Sequence, residues 1–152
     1  MQLLLPVLAL TWLLAQATAF IASLEQAGAF EADATTSTFP LRFVTASTKV
    51  SFLDLTVAIG VSTPTVFAAA SAAGSGQPMG SPLVNIDLVG LRRADTGPGS
   101  FVFDVPITQA DLTDGPGAYV LTVAIVRVTG SPGSYVWRAD PFNLAFNATF
   151  AP

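Results

Sequence analysis

The last third of the chain dictates extended structure. An apolar run from Tyr119 to Val128 meets Thr129-Gly130-Ser131-Pro132-Gly133, and farther on Phe142, Leu144, Phe146, Ala148 and Phe150 alternate with Asn143, Ala145, Asn147 and Thr149. A period of two puts the first set on one face of a strand and the second on the other. Strand, turn, strand at this length predicts an antiparallel pair at the edge of a β-sandwich.

The same grammar recurs upstream. Phe39 to Ala46, Val50 to Val61 and Leu83 to Leu91 read as strands, and Phe101, Phe103, Val105 and Ile107 alternate with Val102, Asp104 and Pro106, where the proline marks a strand end or an edge. Shorter extended segments at Phe20 to Leu24 and within Ala29 to Ala34 bring the total to about seven strands, which predicts an immunoglobulin-like antiparallel β-sandwich. Tyr119 follows the turn Asp114-Gly115-Pro116-Gly117 at the start of a long strand, where such folds carry a tyrosine corner. Thr65 to Gly80, with its Ala-rich stretch before Gly74, reads either as one or two helical turns with a glycine cap or as a loose connection.

Residues 1–19 stand outside this pattern. Leu3 to Leu14 is a short apolar block that runs into Ala17-Thr18-Ala19, small residues at the positions a signal peptidase reads. The expectation is a signal peptide over 1–19, export, and a single domain over 20–152 that begins at Phe20. The ending Phe150-Ala151-Pro152 is no hydrophobic anchor signal, and no second apolar stretch reaches membrane length.

Composition narrows the chemistry. Hydrophobic residues make up 51% and charged residues 11%, the balance of a packed domain and not of a solvated tail. A net charge of −4, with Arg92-Arg93 as the single adjacent basic pair, gives no footprint for a phosphate backbone, so nucleic acid is excluded as a partner class. There is no His and no Cys, which removes the commonest general base, the thiol nucleophile, disulfides and most transition-metal ligands. Asp111 and Asp114 sit in a Gly/Pro-containing turn and lack both the opposition of a glycosidase pair and the spacing of a calcium loop. The reading is therefore non-enzymatic, with no cofactor and no metal. Asn147-Ala148-Thr149 is an N-glycosylation sequon, and strand parity turns Asn147 away from the Phe face.

The order and spacing of several landmarks resemble the NIS-type necrosis-inducing secreted proteins of filamentous fungi. The landmarks are Ile59-Gly60, Met79-Gly80, Leu88-Val89-Gly90, Phe103-Asp104-Val105-Pro106, Gly117, Thr129-Gly130-Ser131 and Phe142-Asn143-Leu144. That resemblance implies a secreted effector that binds host plant immune receptor-associated kinases and suppresses pattern-triggered immunity, in a group where some members also provoke cell death. Under that reading Arg92 and Arg93 are the candidate kinase contact, since arginine's planar fork grips carboxylates. The competing expectation is an extracellular cell-wall or surface module that binds polysaccharide, with Tyr135 and Trp137 as its aromatic contacts.

Overall fold

A computed structural model describes residues 18–48, 50–74, 78–94, 97–131 and 133–152. Most of the expected leader lies outside the described residues, as do Lys49, Asp95, Thr96 and Pro132 of the expected turns.

The period-two segments form eight strands: β1 (Thr18–Gln26), β2 (Glu31–Ala32), β3 (Thr38–Thr48), β4 (Ser51–Ser62), β5 (Ser81–Asp87), β6 (Gly99–Pro106), β7 (Gly117–Ser131) and β8 (Ser134–Phe150). They build a β-sandwich of two sheets, one ordered β1-β3-β6 and the other β2-β8-β7-β4-β5. Every pairing is antiparallel except β2 with β8, where Glu31 and Ala32 run parallel to Thr149 and Phe150. The expected antiparallel sandwich thus gains one short parallel ladder.

Alternation decides what is buried. In β3, Phe39, Leu41 and Phe43 are fully buried, and they share one core with Val57, Ile59 and Val61 of β4 and Leu121, Val123 and Ile125 of β7. Each such side chain contributes about 1.5–3 kcal/mol on leaving water, so this layer is the main source of stability in a chain without disulfides. Phe30, Phe39, Tyr119 and Phe146 pack ring against ring across the two sheets, with centroids 4.8 to 5.9 Å apart. Along β8, Phe146 and Ala148 are buried while Asn143, Ala145, Asn147 and Thr149 are exposed, as the alternation requires. β6 ends at Pro106, also as its sequence requires.

Tyr119 closes the corner before β7. Its hydroxyl donates to the Gly115 carbonyl at 2.8 Å and accepts from the Asp114 N–H at 3.1 Å, which fixes the preceding turn against the strand. The Ala-rich stretch is a helix, α1 (Pro64–Ala72), with Thr63 as its N-cap, Pro64 in the first turn and Gly74 at φ 70° just beyond its end.

Two segments differ from the sequence reading. The strand expected over Leu83 to Leu91 stops at Asp87, whose Oδ1 accepts from the Gly90 N–H at 3.0 Å while its carbonyl accepts from Leu91; the chain turns there instead of continuing. The last strand begins at Ser134, well before Phe142, because it pairs with β7 along its whole length, from Gly117↔Ala148 to Ser131↔Ser134.

The sandwich has two distinct ends. The hairpin end carries the tip of β7–β8, the start of β1, the β3–β4 turn and residues 88–94, joined by the Ser51↔Gly130 and Thr18↔Thr48 pairs and the Asp54 N–H to Ala94 carbonyl bond. The helix end carries α1, the Asp33–Ser37 turn and residues 107–116, joined by bonds from Ile107 to Ser37 and from Gln109 to Asp33.

Candidate functional site

The hairpin end gathers four of the five residues that the sequence singled out. Tyr135 and Trp137, two apart on β8, share its outer face and are 56% and 67% exposed. Trp137 lies opposite Val128 of β7, and Val128 lies opposite Leu53 of β4, which is 40% exposed. Opposed residues of an antiparallel pair project to the same side. Leu53, Val128 and Trp137 therefore form an apolar row across three strands. The β8 edge away from β7 is unpaired next to this row: β2 pairs only with Thr149 and Phe150, and among the described residues no strand is hydrogen-bonded to that edge from Ser134 to Ala148, although β1 packs close to β8.

Arg92 and Arg93 belong to the same end but diverge. Arg93 rests its guanidinium 5.4 Å from the centroid of the Phe101 ring, a cation–π contact that ties the turn to β6. Arg92 takes the left-handed backbone conformation, φ 56°, and is exposed. The two therefore do not form one fork. Asn147, the fifth residue, lies on the exposed face of β8 opposite Ala118, towards the helix end.

Beneath the aromatic row lies a charged network that the sequence reading missed. Arg127 is 2% exposed; its Nε is 2.9 Å from Asp54 Oδ1 and its Nη1 is 3.0 Å from Asp140 Oδ2. Its Nη2 donates to the Ile21 carbonyl at 3.1 Å, and the Ile21 N–H donates to Asp54 Oδ2 at 2.7 Å. The guanidinium sits 5.7 Å and 5.8 Å from the centroids of Phe20 and Phe52, which stack on each other at 5.0 Å. Asp140 also holds the exposed Arg138 at 2.7 Å. Burial raises the Asp54 carboxyl above its ordinary range, against the pull of the Ile21 N–H and Arg127 and with the help of the Asp140 charge. The signal for this network was Arg127 itself, a cation at an inward position of an otherwise apolar run, which demands carboxylate partners from other strands. Such a network sets the shape of the hairpin base and offers no exposed reactive group.

The helix end holds a cleft of about 430 Å³ between α1, the start of β5 and the segment before β7. Asp111 and Asp114 reach it, but Asp111 Oδ2 is already bound by the Thr108 N–H at 2.8 Å and hydroxyl at 2.9 Å. Among the described residues no three carboxylates are grouped to hold a metal ion.

No known family model matches the chain, and no curated protein matches it.

Proposed function

We propose that the protein is a secreted effector that works by binding and not by catalysis, engaging a plant immune receptor-associated kinase and suppressing pattern-triggered immunity. The partner class comes from the resemblance to NIS-type necrosis-inducing proteins. The observation that supports a binding role is the hairpin end, where Tyr135, Val136 and Trp137 are each more than half exposed beside an open strand edge. Exposed aromatics with neighbouring arginines are the residue types that concentrate binding energy at protein interfaces, and an open edge accepts a partner strand through main-chain bonds. Arg92 and Arg93 lie in the turn after β5, at the same end of the sandwich but across β7 and β4 from β8, and would add charge-assisted contacts to an acidic partner that spans this end.

The test is co-precipitation of the exported protein with receptor-associated kinases, followed by titration. Arg92→Ala/Arg93→Ala is expected to weaken binding by about 1–3 kcal/mol with the fold intact. A double variant that binds as tightly as the parent removes the arginines from the contact. Failure to co-precipitate any such kinase removes the effector reading.

One observation favours a second reading. Tyr135 and Trp137 share a face, an arrangement that suits stacking on a glycan chain, so a polysaccharide-binding surface module is the competing proposal. Retention on insoluble chitin or glucan, lost in Trp137→Ala, would select it.

A further inference from the structure

The outer face of the five-stranded sheet changes character along its length. At the helix end it is covered: α1 packs onto β7, Thr122 is fully buried, and the Met79 carbonyl crosses Gly60 so closely that a Cβ there would overlap it. Toward the hairpin the cover stops. Below the row of Leu53, Val128 and Trp137 come Thr56, Val126 and Ala139, and then Ala58, Ala124 and Pro141, each row crossing β4, β7 and β8 on the same side. Trp137, Ala139 and Pro141 are exposed, and the β7 members are half-buried. No residue of these rows is charged, although the chain carries a net charge of −4. The charges of the three strands, Asp54, Arg127, Arg138 and Asp140, all take the opposite parity and meet in the network beneath. A face without charge gives an ionic partner nothing to hold, and it is where two acidic copies approach with least repulsion.

Its relief is self-complementary. The row nearest the hairpin tip is bulky, the middle row is intermediate, and the third row is small. A two-fold axis running across the strands along the middle row carries the first row of one copy onto the third row of the other. Leu53 then meets Ala58, Val128 meets Ala124, and Trp137 lies over Pro141, so large side chains enter hollows as two sheets about 10 Å apart require. The same axis sends α1 of each copy past the hairpin tip of the other, so the covered halves do not collide. Beyond β4, Asn85 and Asp87 of β5 lie opposite Ala58 and Thr56 and add a polar rim. Four strands at a spacing of about 4.8 Å, over the stretch from Thr122 to Gly130 at about 3.4 Å per residue, give roughly 500 Å² per copy. A face-to-face pair thus covers about 1,000 Å², the level that a specific interface must reach.

We propose that this face is the interface of a symmetric homodimer, with a second copy of the chain as its occupant. At the end of the middle row Asp87 meets its own counterpart across the axis, and this like-charge contact keeps the dimer weak and dependent on concentration. The assembly does not depend on the kinase reading; a partner that uses Trp137 competes with it.

Sedimentation equilibrium of the full exported chain, from micromolar to millimolar concentration, tests it. The weight-average mass is expected to climb from monomer towards dimer. Ala139 is exposed and lies on the axis, so Ala139→Glu should leave the fold intact and weaken the dimer about tenfold or more by setting two carboxylates against each other. Trp137→Ala should weaken it as well. Asp87→Asn, which keeps an acceptor for the Gly90 N–H, should tighten it by about twofold to fivefold. The proposal is overturned if the chain stays monomeric throughout, whether or not it then binds phosphatidylcholine vesicles. It is also overturned if the dimer survives Ala139→Glu unweakened, which would move the contact to the β8 edge, or if Asp87→Asn fails to tighten it.

Discussion

Arg127 and Asp54 face each other inside the sandwich, Nε to Oδ1 at 2.9 Å with each side chain 2% exposed, and through Ile21 and Asp140 they connect β1, β4, β7 and β8. Removing one member of a buried pair strands the other's charge, at about 3–5 kcal/mol. Arg127→Met is therefore expected to lose that much in urea unfolding. Asp54→Asn keeps an acceptor for the Ile21 N–H and removes the stranded charge, so the Arg127→Met/Asp54→Asn double variant should be more stable than Arg127→Met alone. Simple additivity of the two single losses would show that the residues do not act as a pair.

Tyr119→Phe deletes a hydroxyl that both donates to Gly115 and accepts from Asp114 while the ring stays in the core. The expected cost is about 1–3 kcal/mol, with the β spectrum preserved. A variant as stable as the parent would mean that the ring packing alone holds the corner.

Tyr119 also shows why part of the fold was legible in the sequence. A tyrosine after a Gly/Pro turn at the head of an apolar strand is a local pattern, and so is the alternation from Phe142 to Phe150; local patterns survive without knowledge of partners. The strand read over Leu83 to Leu91 failed because hydrophobicity continued past Asp87 while the Asp87 side chain bent the backbone to Gly90. Residues 134–139 gave no alternation to read, since both faces of that hairpin segment are exposed and only pairing with β7 makes it a strand. The Arg127 network was hidden for a different reason. Its carboxylates, Asp54 and Asp140, come from strands β4 and β8, distant in sequence from Arg127 or set in a segment without alternation, and no period links them.

The acid titration has two opposed contributions. Burial raises Asp54 above the ordinary 3.8, whereas N–H bonds from Thr36 first, and from Thr35 and Ser37, lower Asp33 below it. Asp54 therefore favours the folded state fully below its unfolded pKa, and that contribution is lost as pH rises through its folded value. Asp33 favours the folded state above its unfolded pKa, and loses that contribution as pH falls through its folded value. Carboxyl-carbon NMR titration should find Asp54 protonating at higher pH than Asp33; the reverse order would contradict the buried placement of Asp54.

Asn147 is exposed on the open outer face of β8, and its sequon is intact. Secretion from a eukaryotic host is expected to add a glycan mass that Asn147→Gln removes. The same substitution in protein made without glycosylation should change stability by no more than about 0.5 kcal/mol. A larger loss would assign the side chain a structural role.

The start of β1 carries a prediction about the mature N-terminus. Thr18 and Ala19 pair with Thr48 and Ser47, and Ala19 is 2% exposed, so both belong to the sheet even though the expected cleavage falls before Phe20. Ala15-Gln16-Ala17 presents small residues at the same two positions and would release a chain that begins at Thr18. A chain starting at Phe20 gives up the Ala19 burial and the terminal ladder bonds, each worth about 0.5–1.5 kcal/mol. In return it gains an α-ammonium one residue from Ile21, whose N–H bonds Asp54. That network already balances Arg127 and Arg138 against Asp54 and Asp140, so the added charge has little to offset and the lost packing wins. Urea unfolding of the two versions should therefore show the Thr18 form to be more stable by about 1–2 kcal/mol, within the range of a few lost hydrogen bonds. Equal midpoints would mean that the first two residues of β1 fray and that cleavage before Phe20 costs the fold nothing.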